Sequence, residues 1–158
     1  MSAVIRDPVT FELFHNLLDT IVGDMSVVVV STAYSQIVRD AMDFSTGLCD
    51  SKGRLVAQGL GISFHLGAIP GAIDAVIKTF KDDINPGDVF VLNDPYQGGM
   101  HLPDVFMFKP VFEKTLLLGF AVVIAHQADI GGRVPGGNAA DSTEIFQEAP
   151  CQRSVKGL

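Results

Sequence analysis

Apolar residues recur at helical spacing in two segments of the chain. The first begins at Asp7–Pro8, where a side-chain acceptor at the N-cap precedes proline at the first helical position, the usual start of a helix. Residues three and four apart then form one apolar stripe: Phe11, Phe14, Leu17, Leu18 and Ile21. Residues 72–83 predict a second, shorter amphipathic helix, whose apolar side consists of Ile73, Val76, Ile77 and Phe80.

The four consecutive valines at residues 27–30 show no period and allow two interpretations. Their β-branched side chains favour a strand. The same residues also suit a buried continuation of the first helix, because a fully buried segment needs no polar side. We expect the helix.

Runs of β-branched and aromatic residues predict strands in the rest of the chain. We expect strands at residues 44–49, 54–58, 89–93, 105–112 and 115–125. The first two flank DSKG, whose aspartate and glycine suit a tight turn, so they predict a hairpin. The last two flank Glu113–Lys114 and predict a second hairpin.

Glycine-rich sequence separates these elements at residues 59–71 and 126–142, and we expect both segments to be loops. Ser142 or Thr143 could cap one more helix that starts in STEIF. The order of elements predicts an α+β fold with an N-terminal helix, mostly antiparallel strands and hairpins, one further amphipathic helix and glycine-rich loops.

The segment NDPYQGGMHLPD, residues 93–104, concentrates groups that bind metal ions and groups that form turns. His101 and Asp104 form an H-x-x-D motif, which His126 and Asp129 repeat, and a glycine pair lies beside each motif. Proline within the first motif disfavours helical backbone at the residue before it. The first motif therefore belongs to a loop that enters the next strand.

The second hairpin brings the two motifs together if Glu113 and Lys114 form a two-residue turn. In that register His101 lies opposite His126. Side chains of directly opposed residues have Cβ atoms about 4.5–5.5 Å apart, so the two imidazoles could share one metal ion. Asp104 could add a carboxylate oxygen. A turn one residue longer would shift the register and misalign the two histidines.

Asp94 and Asp129 are the next candidate ligands. This mixed set of imidazole and carboxylate groups suits a divalent cation of intermediate hardness, namely manganese, iron or zinc. A second interpretation stays open, because Asn-Asp-Pro is also ordinary turn chemistry. His15 and His65 suit structural hydrogen bonds better than metal binding.

The sequence offers no further site. The segment GGRVPGG lacks the lysine and the spacing of a phosphate-binding loop, so we expect no ATP site on this chain. The spacing of serine, cysteine and histidine residues assigns no catalytic residue.

Composition and charge exclude several classes of protein. A length of 158 residues suits one domain, and a net charge of −7 opposes binding to nucleic acid or to an anionic membrane surface. The longest apolar run, residues 115–125, is shorter than the about 20 residues that span a bilayer. The N-terminus lacks the apolar region of a signal peptide. We therefore expect a cytoplasmic protein without membrane contact, in which Cys49 and Cys151 are free thiols.

The hydrophobicity of the chain indicates an interface. Hydrophobic residues make up 47% of the sequence and charged residues 18%, and the mean hydropathy is +0.33. A partner protein, or protein that this chain lacks, would cover the excess apolar surface. We expect that surface on the helix that begins at Pro8 or on the hairpin at residues 105–125.

Five segments of the chain, in this order, resemble the hydantoinase B/oxoprolinase family: RDPVTFELFHNLL, TAYSQIVRDAMDFSTGLCD, FHLGAIPGAI, NDPYQGGMHLPD and AHQADIGGRVPGG. That family includes the B subunit of N-methylhydantoinase, the C-terminal half of 5-oxoprolinase and the α subunit of acetone carboxylase. The resemblance runs from Arg6 to Glu148. It implies that residues 1–148 are the N-terminal region of a hydantoinase-B-like domain, and that residues 149–158 are an atypical tail produced by truncation or frameshift.

The resemblance implies part of the B subunit of an ATP-dependent hydrolase that opens cyclic amides such as hydantoins or 5-oxoproline. In this family a hydantoinase A-type partner uses ATP to phosphorylate the amide oxygen, and the B subunit completes the hydrolysis. The carboxylase branch binds a manganese-type ion in a His/Asp site. The positions that match are His101, Asp104 and His126, with Asp94 and Asp129 as the next candidates.

Two alternatives stay open. One is the equivalent region of an acetone-carboxylase-type α subunit, and the other is a non-catalytic remnant that only associates with a partner. The expected partners are an A-type subunit, the remainder of the B subunit and a small cyclic amide substrate. We expect no turnover by the chain alone.

Overall fold

A computed structural model describes residues 7–137 and 139–157, apart from the side chain of Leu60. Its helices are α1 (Pro8–Thr32), α2 (Gln36–Arg39) and α3 (Ser63–Phe80). Its strands are β1 (Phe44–Asp50), β2 (Leu55–Gly61), β3 (Val89–Leu92), β4 (Asp104–Glu113), β5 (Leu116–His126) and β6 (Val155–Gly157). Residues 1–6, Asn138 and Leu158 lie outside the described residues. The predicted region 1–148, the second glycine-rich segment and the predicted tail are therefore described in part.

The strands of the described chain form a six-stranded sheet in the order β2-β1-β5-β4-β3-β6, and neighbouring strands are antiparallel throughout. This arrangement confirms the α+β fold with its N-terminal helix and its two hairpins, β1–β2 and β4–β5. The four valines at residues 27–30 belong to α1, as expected, but the expected burial of this segment is wrong, because Val27 and Val28 are 66% and 59% exposed.

The hydrophobic core lies between α3 and one face of the sheet. Alternate residues of a strand point to the same face, and on this face large side chains of the central strands are fully buried: Phe90, Phe106, Phe108, Phe120, Val122 and Ile124. The helix contributes Ile69, Ala72, Ile73 and Val76, each with 0% exposure. Each fully buried large side chain stabilises the fold by about 1.5–3 kcal/mol. We call this the closed face of the sheet.

The helix α1 packs on the opposite face, over β1 and β2. The Ser26 hydroxyl lies 2.7 Å from that of Thr46, and Thr46 donates a hydrogen bond of 3.0 Å to the carbonyl oxygen of Val22. Gly59 on β2 permits this approach, because a Cβ atom there would lie 2.2 Å from Thr46 Oγ1 and 2.7 Å from the Val22 carbonyl oxygen. The contact is narrow, since Val22 and Ser26 are the residues of α1 that it buries.

Much of the rest of the opposite face is exposed, and most of its large exposed side chains are apolar, although Lys109 lies between Met107 and Val111 on β4. The helix α1 presents large apolar side chains along its length: Val9, Phe11, Leu13, Phe14, Leu17, Ile21, Val27 and Val28. Beyond it, Met107 and Val111 on β4 and Val155 on β6 are 37%, 42% and 46% exposed. An apolar groove of about 380 Å³ lies between α1 and β5. We call the outward side of α1 together with these three strand residues the open face.

The open face confirms the apolar surface that the sequence predicts on the first helix and the second hairpin. The helix α1 also qualifies as a membrane span by length and composition, with a mean hydropathy of 1.4 over 18 residues of which 11% are buried. A single such helix near the N-terminus is weak evidence, because signal sequences and core helices meet the same criteria. The lack of membrane contact and the cytoplasmic location stay predictions.

The prediction of a loop at residues 59–71 is wrong. The strand β2 runs to Gly61 and α3 begins at Ser63, so the helix includes Pro70. Proline lacks the N–H that an internal helical residue donates, which is why the sequence favours a loop. Burial of this first half of α3 against the sheet, with Ile69 at 0% exposure, outweighs that loss.

The helix expected to start at Ser142 or Thr143 is also wrong. Within the described residues, this segment forms a single 3-10 turn at Ile145–Gln147, with Glu144 as its N-cap. Glu144 and Gln147 form a capping box, in which each side chain accepts a hydrogen bond from the backbone of the other residue, and the Gln147 side-chain oxygen also accepts one of 2.7 Å from the Thr143 amide. Local hydrogen bonds therefore satisfy backbone amides of this segment without a longer helix.

Asn93 ties the ligand-rich segment to the residues that precede β6. Its side-chain amide donates hydrogen bonds of 2.7 Å to the Leu102 carbonyl oxygen and 3.0 Å to the Pro150 carbonyl oxygen. Its side-chain oxygen accepts a bond of 2.5 Å from the Gln152 amide. The first residue of NDPYQGGMHLPD therefore has a structural role, and it places β6 beside β3.

A candidate metal centre

The β4–β5 hairpin brings two residues of the predicted site face to face. Asp104 is the first residue of β4 and His126 is the last residue of β5, and the two are register partners. His126 Nδ1 lies 2.9 Å from Asp104 Oδ1. His101, in the turn before β4, places its Nε2 atom 3.1 Å from the same oxygen. One histidine precedes the hairpin and the other ends it, and both converge on one carboxylate oxygen at the open end of the hairpin.

The register that pairs His101 with His126 is wrong. The strand pairing ends at Glu113 and Leu116, so the turn consists of Lys114 and Thr115 rather than Glu113 and Lys114. Lys114 adopts a positive φ of 56°, which such a tight turn requires. An irregularity between Val111 and Phe112 shifts the register further, so that Asp104 faces His126.

The two histidines come together by a different route. The turn before β4 folds His101 back over Asp104, and the imidazole rings of His101 and His126 stack with centroids 5.1 Å apart. Gly98 makes this turn possible, because it has a φ of 91° and a Cβ atom there would lie 2.4 Å from the backbone of Gly71 in α3. The glycine pair therefore lets the ligand-rich segment close against the helix.

A second pair of side chains reaches Asp104 from its other side. His65, in the first turn of α3, places Nε2 3.3 Å from Asp104 Oδ2. The same nitrogen lies 3.7 Å from Oδ1 of Asp43, which directly precedes β1. From the sequence His65 is expected to make structural hydrogen bonds, and it makes one with Ser45, but its place in this cluster is missed because the surrounding segment is treated as a loop. Asp43 is not predicted at all.

A signal for His65 is present in the sequence nonetheless. If the helical spacing of the apolar side of α3 is continued backwards through Pro70, the residues four and eight positions before Ile73 are Ile69 and His65. All three are buried, with His65 at 3% exposure. The helical period therefore places this histidine on the side of α3 that faces the sheet.

Asp94 and Asp129 do not join this cluster in the described structure. Asp94 is buried and caps the 3-10 turn at Pro95–Gln97, where its carboxylate accepts a bond of 2.9 Å from the Tyr96 amide. Asp129 is exposed and accepts a bond of 3.0 Å from the Gly131 amide. Both carboxylates serve the backbone of tight turns, as the alternative interpretation of these motifs expects.

Charge in the cluster is set by Asp104. Burial alone would raise the pKa of this carboxyl, but hydrogen bonds from His101, His65 and His126 and the charge of His101 lower the pKa far below its usual range. The hydrogen bond with Asp104 in turn raises the pKa of His101, against the smaller opposing effect of burial. Asp104 is thus an anion at neutral pH inside the protein.

The residues present fit a divalent ion. The ligand atoms of His101, Asp104 and His126 all lie within 4.8 Å of one another, and so do those of Asp43, His65 and Asp104. Neighbouring ligands around an ion with bonds of about 2.0–2.2 Å lie about 3 Å apart. The two nitrogen–oxygen distances in the first group, 3.1 and 2.9 Å, are hydrogen-bond distances, and they show that the three side chains already lie close enough to share one ion.

The matches to related proteins cover almost all of this chain. The family model described as hydantoinase B/oxoprolinase matches residues 7–157. The 5-oxoprolinase of Saccharomyces cerevisiae is 38% identical over 143 residues, which cover 90% of this chain and 11% of that protein. The beta subunit of caprolactamase from Pseudomonas jessenii is 37% identical over 142 residues, which cover 90% of this chain and 24% of that protein.

Solved structures share the fold. The crystal structure of ATP-dependent caprolactamase from Pseudomonas jessenii matches with a TM-score of 0.89 and 36% identity, over 97% of this chain and 26% of that one. The nucleotide-free structure of acetone carboxylase matches with a TM-score of 0.86, over 96% of this chain and 20% of that one. Its 23% identity shows the fold alone.

The chain spans a small part of each relative, between 11% of the yeast protein and 26% of the caprolactamase chain. The match is specific nonetheless, because it includes the five segments on which the resemblance rests and the strands and turn that build the His/Asp cluster. The chain belongs to the hydantoinase B/oxoprolinase family.

Proposed function

We propose that this chain is the metal-binding part of the B subunit of an ATP-dependent hydrolase that opens cyclic amides such as hydantoin or 5-oxoproline. The observation that carries the proposal is the convergence of His101 and His126 on the buried Asp104 carboxylate. A buried carboxylate with two imidazoles is a ligand set for manganese, iron or zinc.

The hydrolase branch is better supported than the carboxylase branch. The yeast 5-oxoprolinase and the caprolactamase beta subunit are 38% and 37% identical to this chain. The B subunit of a putative D-/L-hydantoinase from a Pseudomonas strain is 32% identical. Acetone carboxylase, at 23% identity, supports the fold but not the choice of substrate.

Each residue of the site would have a different role in binding an ion. Asp104 supplies the negative charge, and its burial with His126 holds both side chains in one position. His101 is 34% exposed at its side chain, so an amide substrate would approach from its side. A bound divalent ion would supply Lewis-acid chemistry toward a carbonyl oxygen.

ATP use belongs to the partner in this proposal. The sequence contains no phosphate-binding loop, and the family resemblance assigns phosphorylation of the amide to an A-type subunit. The open face supports a partner as well, because clusters of exposed apolar side chains mark protein contacts. We assign it to the remainder of the B subunit and the A-type subunit, in a cytoplasmic complex.

A chimeric enzyme tests the proposal. The matched region of the caprolactamase beta subunit would be replaced by residues 7–157 of this chain, and ATP-dependent hydrolysis of caprolactam, hydantoin and 5-oxoproline would be measured with the partner protein present. We expect hydrolysis by the chimera and its loss in His126→Ala. The control is Lys52→Ala, which alters an exposed lysine in the turn between β1 and β2, away from the cluster and from α1, and should leave hydrolysis unchanged.

Three results would contradict the proposal. Turnover by the isolated chain would overturn the division of labour between the subunits. Hydrolysis that persists in the His126→Ala chimera would overturn the role of the metal centre. A chimera that assembles but hydrolyses none of the three amides would favour the carboxylase branch or a non-catalytic remnant.

A further inference from the structure

His65 is buried beside the candidate metal centre without belonging to its primary group of ligands. Its side chain is 3% exposed and lies close to three polar groups, Asp104 on β4, Ser45 on β1 and Asp43 just before β1. Nε2 lies 3.3 Å from Asp104 Oδ2 and 3.7 Å from Asp43 Oδ1. Nδ1 lies 3.0 Å from the Ser45 hydroxyl on β1.

The surrounding groups fix where the imidazole carries its proton. A bare Nε2 would direct its lone pair at the oxygens of Asp104 and Asp43, which is unfavourable in a buried site, so Nε2 carries hydrogen and donates. In the neutral ring Nδ1 is then the acceptor. Ser45 matches that need, because its oxygen already accepts a bond of 3.0 Å from the Ile62 amide and its own hydrogen is free to point at Nδ1.

We propose that His65, oriented by Ser45, is a positioning residue for the two carboxylates of the metal centre. Its N–H holds Oδ2 of Asp104, which leaves Oδ1 directed at His101 and His126. The inference rests on the proposed metal site and extends it to residues that contact no ion in that site. Hydrogen bonds from outer residues commonly orient metal ligands in this way.

A second ion is the competing use of the same residues, since Asp43, His65 and Asp104 also lie within 4.8 Å of one another. Direct ligation by His65 would require Nε2 to lose a proton that faces the oxygens of two carboxylates, whereas the facing nitrogens of His101 and His126 each lie close to one carboxylate. In the positioning role, the hydrogen bond from His65 to Asp104 stays in place, and Asp43 lies beside the ligands without binding the ion. It therefore predicts one ion per chain.

The test measures binding of Mn²⁺ and Zn²⁺ alone to the purified chain by calorimetry. His65→Leu removes the donor, and we expect its affinity for either ion to fall by about 10–100-fold. His65→Gln keeps an amide N–H close to the position of Nε2 and should stay within a few-fold of the original affinity. Ser45→Ala should lower affinity in the same direction but less, because Nε2 remains.

A spectroscopic readout separates positioning from loss of stability. The absorption spectrum of bound Co²⁺ reports ligand geometry, and we expect it to change in His65→Leu and to return in His65→Gln. The control is Ile73→Val, which is fully buried and lies eight residues, or about 12 Å, along α3 from His65, so that it weakens packing away from the cluster. Its metal affinity and Co²⁺ spectrum should match those of the original chain.

The possible failures are distinguishable. An original chain that binds neither ion overturns the proposed metal site itself. An original chain that binds one ion, with unchanged affinity and spectrum in both His65→Leu and Ser45→Ala, overturns the positioning role alone. Two ions per chain would make His65 a ligand. If His65→Leu does not fold, a Ser45→Ala variant equal to the original chain overturns the inference.

Discussion

The two faces of the sheet differ in how completely they are covered. On the closed face, α3 and the central strands bury a core of large side chains, in which Phe106 and Phe108 have no exposure. On the opposite face, α1 covers β1 and β2 through a narrow contact, and it leaves Met107 and Val111 exposed on β4. Alternate residues of β4 therefore lie in a packed core and on an exposed, largely apolar surface.

The candidate metal centre belongs to the closed face. His65 extends from the buried side of α3, and Ser45 on β1 points to the same face. A rigid, fully packed layer can hold ligands at fixed positions, whereas the open face has room to receive another protein. If the proposed function holds, chemistry and assembly use different sides of one small domain.

The largest effect should come from a substitution in the closed face. Phe108→Ala should destabilise the chain by about 3–5 kcal/mol, because it removes a fully buried aromatic side chain and leaves a cavity. Its neighbour gives the matched control, since Met107→Ala on the open face should cost less than about 1 kcal/mol. Urea unfolding measures both. Equal costs would mean that the open face is covered in solution.

A smaller effect should come from the contact between α1 and the sheet. Gly59→Ala should cost about 1–3 kcal/mol, because the new Cβ atom would meet Thr46 and the backbone of Val22. Gly23→Ala is the control, since a Cβ atom at that position in α1 meets nothing within 4 Å. It should stabilise the helix by about 0.5–1 kcal/mol. Thermal unfolding that ranks the two variants the other way would contradict the described packing of α1.

The amount by which Asp104 stabilises the folded, metal-free chain should depend on pH. Because the pKa of His101 is raised in the folded chain, the stability that charged His101 adds is fully present below about pH 6.5 and is lost as the pH rises through the folded-state pKa. Because the pKa of Asp104 is lowered, the stability that its carboxylate adds is present above about pH 3.9 and is lost as the pH falls through the folded-state pKa. The stability difference between the original chain and Asp104→Asn should therefore be larger at pH 5.5 than at pH 9.

Urea unfolding with a chelator measures that difference at both values of pH. The control is Asp129→Asn, because this exposed aspartate lies outside the cluster, and its effect on stability should not follow the same pH dependence. A difference for Asp104→Asn that is the same at pH 5.5 and pH 9 would show that the described contact with His101 does not form.

The smallest effect on stability should come from charges on the open face. Val111→Lys should change the free energy of unfolding by no more than about 0.5 kcal/mol, because the side chain is 42% exposed. It should nevertheless reduce self-association, which light scattering measures against concentration. Thr115→Lys, at the tip of the same hairpin, is the control for added charge. A chain that is monomeric without either substitution would contradict the apolar-contact role of this face.

Sequence reasoning succeeds where the local pattern and the packing agree. The apolar stripe from Phe11 to Ile21 predicts α1, and the runs of β-branched residues predict the strands of both hairpins. His101, Asp104 and His126 are recognised from their motifs, and the structure brings them together.

The failures occur where tertiary packing overrides a local rule. Pro70 indicates a loop, but burial of α3 keeps the helix and places His65 in the cluster. The register of β4–β5 depends on an irregularity beside Phe112 that no residue type specifies. Asp43 lies 61 positions before Asp104 in the sequence, and only the sheet brings the two near the same histidine.

The metal content of the purified chain tests the central claim most directly. After saturation with Mn²⁺, Fe²⁺ or Zn²⁺ and removal of free ions, elemental analysis should find one divalent ion per folded chain. His101→Ala and His126→Ala should each lose it, because each removes one of the two imidazoles that converge on Asp104. A folded original chain that retains none of the three ions would contradict the account.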